Sequence, residues 1–229
     1  MQRGRSPLFI LIIFALTFVT SCTKVEKTYY PNGRLESKIE YRSGKEHGKT
    51  IYYNDYTQLP VLMVEMKNGK KEGKLYRYFP YGQLKSEENY VNDLLDGAEI
   101  IYDAKGYPLS ETHFVKGVKN GSYTTWHDRS MIKEKGSFKD DKFDGEWEYY
   151  DERGFMVGEG SFENGTGTIT AYDQLGNLQR ITHYVDNIKE GDDVFYQPNG
   201  EVEKVVTYNQ DRIVKINNEP VSTEGLNEE

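Results

Sequence analysis

Tyr29–Thr50 reads YYPNGRLESKIEYRSGKEHGKT, and the fold follows from this stretch. Two adjacent tyrosines precede a Pro31–Gly33 turn sequence, and an apolar Leu35 follows the turn. Tyr41 comes six residues after Leu35, and Gly48 comes seven residues after Tyr41. Turn residues between runs of β-forming residues are typical of a β-hairpin. The stretch therefore predicts one hairpin that is closed by a glycine.

The same pattern recurs in eight copies at intervals of 22–26 residues. The first residues of the aromatic pairs are Tyr29, Tyr52, Tyr78, Ile101, Trp126, Tyr149, Ala171 and Phe195. The second residues are Tyr30, Tyr53, Phe79, Tyr102, His127, Tyr150, Tyr172 and Tyr196. Repeats of this length need their neighbours to bury an apolar face. Residues 29–216 are therefore expected to form one all-β domain, an elongated antiparallel sheet of about eight successive β-hairpins.

A closing glycine ends seven of the copies, at Gly48, Gly73, Gly97, Gly121, Gly145, Gly167 and Gly191. Glycine adopts positive φ without a Cβ clash, as tight turns and bulges require. The sixth copy, FENGTG (162–167), reaches its glycine two residues early. We therefore expect the regular stacking of the hairpins to be disturbed at this copy.

Residues 1–21 have the features of a secretory signal, in which two arginines precede the 12-residue apolar run Leu8–Val19. The ending VTSC (19–22) resembles the bacterial lipobox, where the cysteine becomes acylated. Cys22 is the only cysteine of the chain, so an internal disulfide is excluded. We expect lipidation at Cys22 and attachment of the protein to a membrane of the bacterial cell envelope, with the inner and outer membranes both open.

The expected domain order is a signal peptide (1–21), a tether (22–28), the repeat domain (29–216) and a polar, disordered tail (217–229). Removal of the signal takes away two arginines and no acid, so the formal net charge changes from −8 to −10. An acidic surface disfavours nucleic-acid phosphates and anionic lipid headgroups. A protein partner is compatible with this charge.

The aromatic pair, the turn glycine, the following leucine, the second aromatic and the closing glycine together resemble the variant MORN repeat (membrane occupation and recognition nexus). The arrangement is most similar to bacterial YwqK-type antitoxin proteins, from which this chain differs by its lipoprotein signal. The resemblance spans Tyr29 to about Ile216. It implies an elongated sheet of hairpins with a binding role and no catalysis.

The sequence contains no glycine-flanked serine elbow (G-x-S-x-G), no phosphate loop and no paired cysteines. His113 and His183 share a repeat position, two to three copies apart, so they are not expected to converge on a metal. The acidic pairs Asp140–Asp141 and Asp192–Asp193 are interpreted as hairpin turns, where aspartate is favoured. We therefore predict no enzyme, no metal site and no cofactor.

Two binding hypotheses remain. The first is a protein partner on the aromatic face, because aromatic residues are frequent at interface hot spots. Its candidate residues are Tyr52, Tyr78, Trp126, Trp147, Tyr149 and Phe195. The alternative is a cell-wall glycan stacked on the region of Trp126, Trp147 and Tyr149. Trp147 occupies a position that is not aromatic in most copies, and local packing against a neighbouring hairpin is favoured over ligand binding there.

Overall fold

A computed structural model of the chain describes residues 23–220 and shows an all-β architecture. A three-residue 3-10 helix, Asp128–Ser130, interrupts the strands. The strands are β1 (Thr23–Tyr29), β2 (Leu35–Arg42), β3 (Lys45–Tyr53), β4 (Pro60–Lys67), β5 (Lys70–Tyr78), β6 (Leu84–Val91), β7 (Leu94–Leu95), β8 (Gly97–Tyr102), β9 (Pro108–Val115), β10 (Val118–Trp126), β11 (Ile132–Lys139), β12 (Lys142–Tyr150), β13 (Met156–Glu163), β14 (Thr166–Tyr172), β15 (Leu178–Val185), β16 (Ile188–Lys189), β17 (Gly191–Tyr196), β18 (Val202–Asn209), β19 (Arg212–Ile216) and β20 (Glu219–Pro220).

Each strand pairs with the next one along the chain, and every pairing is antiparallel. The short strands β7 and β16 begin the strands that β8 and β17 continue. The result is one open sheet of consecutive hairpins, which confirms the predicted fold class. Residues 1–22, including the signal peptide and Cys22, lie outside the described residues.

Both ends of the sheet differ from the expected domain order. Residues 23–28 belong to strand β1 rather than to a tether, and Thr23 pairs with Arg42. At the other end, Glu219 pairs with Ile216, so the sheet continues into the expected tail. The edge of β2 and the edge of β19 each offer unpaired backbone groups, and these short exposed segments cover them.

The second turn of each copy is a two-residue connection with positive φ at both positions. Ser43–Gly44 and Asn92–Asp93 are examples, and Asp140–Asp141 also forms such a turn, as predicted. This geometry matches the right-handed twist of the flanking strands. Asparagine, aspartate and glycine are frequent here because they tolerate the left-handed region.

In the copies other than the sixth, a bulge follows the second turn, and a closing glycine such as Gly48 lies at this bulge. Gly48 has φ +102°, and the Glu40 carboxylate accepts a hydrogen bond from the next backbone N–H, of Lys49, at 3.0 Å. His113 and His183 occupy the Glu40 position in their own copies and bond Ser122 Oγ and the Asp192 carbonyl. The two histidines therefore hold separate bulges.

Buried side chains lie mainly on one face, called here the core face. A row of cross-strand neighbours, called the core row, runs across the sheet through successive hairpins. Its members are Ile39, Thr50, Val64, Leu75, Glu88, Glu99, Thr112, Tyr123, Gly136, Trp147, Gly160, Ile169, Thr182, Asp193 and Val206. The closing glycine stands two residues before every second member, so the repeat spacing fixes the core row.

Candidate functional site

Four of the six candidate binding residues lie on the core face, and one of these four belongs to the core row. Tyr52, Tyr149 and Phe195 each follow a core-row residue by two positions, and alternate residues of a strand point to the same face. Trp147 belongs to the core row itself and is only 2% exposed. The structure thus places these four side chains on one face but in separate hairpins, except for Trp147 and Tyr149.

Tyr78 and Trp126 do not share the position of the other candidates, which corrects the predicted alignment of the copies. Both are the last residues of their strands, where the register shifts, and they correspond to Tyr53 rather than to Tyr52. In these copies the second aromatic residue begins the turn: the Phe79 N–H bonds the Gln83 carbonyl at 2.8 Å. In most copies the residue at this first turn position is asparagine, aspartate or glutamine. The alignment on the aromatic pair is therefore wrong by one residue in the copies of Tyr78 and Trp126.

Trp147 is the centre of an aromatic cluster on the core face. Its ring centroid lies 4.7 Å from that of Phe143, 5.3 Å from Phe138 and 5.5 Å from Tyr123. Phe138 and Phe143 meet it edge to face, a favourable geometry for aromatic rings. Trp147 therefore packs against neighbouring hairpins, the role that the sequence favours for it.

Three glycines outside the repeat positions make room for this cluster. Gly160 pairs with Trp147, Gly158 pairs with Tyr149, and Gly136 pairs with Tyr123. A Cβ on Gly136 would lie 2.7 Å from Trp147 Cγ and closer to the six-membered ring. These glycines need space rather than positive φ. Their position outside the repeat pattern is a sequence signal for the cluster that the repeats alone do not reveal.

The core row contains three carboxylates, Glu88, Glu99 and Asp193, of which Glu88 and Asp193 are buried. Glu88 accepts hydrogen bonds from Arg77 Nε at 2.9 Å, Tyr90 Oη at 2.8 Å and Ser86 Oγ at 3.1 Å. Burial and this bond to Glu88 raise the pKa of Tyr90 to about 12. Each buried charge needs such partners because an isolated charge is costly to remove from water.

Asp193, the second buried carboxylate, corrects the interpretation of Asp192–Asp193 as a turn. It lies within β17, is 1% exposed and receives a two-nitrogen hydrogen bond from Arg180. Thr182 Oγ1 donates a further bond at 3.0 Å. The hydrogen bond to Asp193 raises the pKa of Arg180. The partners stand 11 and 13 residues earlier, so adjacent aspartates alone do not reveal the pair.

A groove of about 370 Å³ lies between the aromatic cluster and the second turns. Tyr123, Glu134, Trp147 and Tyr149 line it from the core face, and Asn187 lines it from the turns. Burial is the main cause that raises the pKa of Tyr123 to about 12, and the nearby negative charge of Glu134 raises it further. The same two causes raise the pKa of Tyr149. The groove therefore combines aromatic walls with charged groups of both signs, because Lys119 and Asp141 line it together with Glu134.

The short sixth copy shapes this groove. Strands β13 and β14 pair without a bulge, and their turn at Gly165 is tight. Asn187 of the next turn reaches past it, accepting the Phe143 N–H and donating to the Asp141 carbonyl, both at 2.8 Å. The backbone bonds between successive second turns continue through this copy, since the Gly165 N–H bonds the Phe143 carbonyl at 2.8 Å. The short copy therefore changes the bulge and the side-chain contacts, whereas the stacking of the turns is kept.

Residues 23–220 contain no group of three or more histidine, cysteine, aspartate or glutamate side chains placed to hold a metal ion. Within the same residues, no helix has the length and apolar character needed to cross a membrane. The core face consists of aromatic, aliphatic and hydrogen-bonded polar groups.

Comparison with known families agrees with the hairpin architecture. The family model described as MORN repeat variant matches residues 23–43 and 71–92. The first match contains β1 and β2 with the turn between them, and the second contains most of β5, the following turn and the whole of β6. These two stretches are therefore similar to MORN-variant repeats, a family that suggests a repeat-based binding scaffold. No curated protein matches the chain.

Proposed function

We propose that the protein is a membrane-anchored, non-catalytic scaffold whose MORN-variant repeats bind another protein. One observation carries the proposal: the core face belongs to a single open sheet, and its rings are only half covered. Tyr149 and Phe195 are half-buried, and Tyr52 is exposed. Aromatic side chains that combine apolar area with few rotatable bonds are frequent anchors of protein interfaces.

Lipidation of Cys22 would hold this face close to a membrane. Strand β1 begins at Thr23, directly after the expected anchor, so almost no flexible segment would separate the sheet from the lipid. A tether raises the effective concentration of the binding face toward other anchored proteins. The more specific form of the proposal, suggested by the resemblance to YwqK-type proteins, is an immunity role in which the partner is a toxin.

The packing favours a protein over a cell-wall glycan. A sugar stacks on an accessible ring face, but Trp147 is covered by Phe138, Phe143 and Phe162. Trp126 lies at a strand end in a different register from Tyr149, so the three residues of the glycan hypothesis form no common platform. We therefore keep glycan binding as an outcome of the test.

A photo-reactive residue placed at Tyr52 or at Phe195 in cells tests the proposal. Ile51 and Val194, the preceding residues in the same strands, point to the opposite face and are matched controls. We expect a discrete protein adduct from the core-face positions and none from the controls. Equal adducts from both faces, or adducts to glycan alone, would contradict protein binding through the core face.

A further inference from the structure

The groove beside Trp147 contains a carboxylate without a cationic partner. Glu134 accepts hydrogen bonds from Thr125 Oγ1 at 3.1 Å and from Tyr123 Oη at 3.3 Å. Among the side chains that the structure describes, Glu134 forms no ion pair. Lys119, a cation that also lines the groove, lies over the Phe138 ring instead, with its Nζ 4.9 Å from the ring centroid. Glu134 therefore differs from Glu88 and Asp193, which each have an arginine.

The position of Glu134 is specific to this hairpin. It stands two residues before the core row, where the other copies have Ser37, Leu62, Ser86, Ser110, Gly158, Arg180 and Lys204. The basic members are already engaged, Arg180 by Asp193 and Lys204 by the Phe195 ring. The repeat architecture does not require an acid here, because seven other copies fold without one.

Trp147 supplies a second, independent indication of a ligand. Its indole nitrogen Nε1 is a buried donor without an acceptor among the described atoms, and the residue lines the same groove as Glu134. A buried donor left unpaired costs about 1–3 kcal/mol. Cores usually avoid that cost, so an acceptor that enters the groove would complete the site.

We propose that the groove binds an arginine side chain within an extended basic segment of the partner protein. The guanidinium pairs with Glu134 and stacks beside Tyr123 and Tyr149, while a main-chain carbonyl of the segment accepts from Trp147 Nε1. Arginine suits the groove better than lysine because its planar fork matches a carboxylate and stacks on rings. The net charge of −8 attracts such a segment. The inference rests on the proposed scaffold function and specifies its partner chemistry.

Fluorescence of Trp147 reports directly on the groove. In a Trp126→Phe background Trp147 is the remaining tryptophan. The probe is an acetylated peptide of alternating glycine and arginine, and its control carries citrulline, the neutral analogue of arginine. We expect a saturable change in emission with the arginine peptide and binding about tenfold weaker with citrulline.

Charge variants locate the contact. Glu134→Gln should weaken binding about tenfold, whereas Glu134→Asp, which retains the charge, should keep most of it. Glu87→Gln removes the same charge from the opposite face and should leave binding unchanged. Glutamine still accepts a hydrogen bond from Tyr123, so circular dichroism of the variants should match the wild type.

Three results would overturn the inference: no saturable change in emission, equal binding of the two peptides, or equal losses in Glu87→Gln and Glu134→Gln. The last would mean that the peptide follows the overall acidic charge. Adducts at Tyr52 and Phe195 report on the scaffold independently of arginine. If they persist while the peptide fails, only the arginine site is wrong; if they also disappear from the core face, the proposed function itself is wrong.

Discussion

Replacement of Gly136 by alanine tests the packing around Trp147. The added Cβ would lie 2.7 Å from Trp147 Cγ, about 0.7 Å inside an ordinary contact of 3.4 Å or more, and closer still to two other ring atoms. The indole is held by rings on several sides and has little freedom to move. Overpacking of a core typically costs about 1–3 kcal/mol. We expect Gly136→Ala to fall at the upper end of that range.

Urea unfolding followed by far-UV circular dichroism measures this cost. Gly158→Ala is the matched control, since its Cβ would meet the Thr170 carbonyl at 3.1 Å and Tyr149 at 3.4 Å, and it should cost less. In a Trp147→Leu background the clash disappears, so Gly136→Ala should add almost nothing. An equal cost in both backgrounds would show that the strain does not come from the indole.

Three further predictions address other parts of the molecule. Burial raises the pKa of Glu99, and the negative charge of Glu88 adds to this effect. The contribution of Glu99 to the folding stability is therefore present below the ordinary pKa of 4.5 and is lost as the pH rises through the raised pKa. Glu99→Gln should therefore raise the melting temperature at neutral pH and change it little below pH 4.5; an unchanged melting temperature at neutral pH would contradict this. Gly145 has φ +74°, so Gly145→Val should cost about 1–3 kcal/mol in urea unfolding, whereas Lys142→Ala, which removes an exposed ion pair, should be near neutral. An alkyne fatty acid should label the wild type and not Cys22→Ser, and equal labelling would refute lipidation.

The sequence predicts the hairpins well because each turn has a local cause. A closing glycine at positive φ, as at Gly48, marks the bulge whatever packs around it. The spacing from that glycine locates the core row two residues later. The aromatic pair is a poorer marker, since Phe79 lies in a turn whereas Tyr53 ends a strand. The positions of the closing glycines therefore predict the strand register, whereas the positions of the aromatic pairs do not.

The candidate site depends on long-range contacts that local patterns do not encode. Asp193 resembles a turn residue until its partner Arg180, 13 residues earlier, is known. Asn187 lines the groove and bonds Phe143, 44 residues away in sequence, past the turn at Gly165. Gly136 and Gly160 were visible as glycines outside the repeat positions, but only the register shows that both lie against Trp147.

The repeat architecture explains how one hairpin can acquire a specific site. Each copy contacts mainly its neighbours, so a departure from the pattern has local consequences. Glu134, Gly136 and Trp147 depart together in two adjoining strands, and the next hairpin, β13 with β14, lacks the bulge of the other copies. The register of distant strands, such as β3 with β4, keeps the regular form. The buried carboxylates Glu88 and Asp193 are similar local departures in other hairpins, where each is satisfied by an arginine a short distance away in sequence.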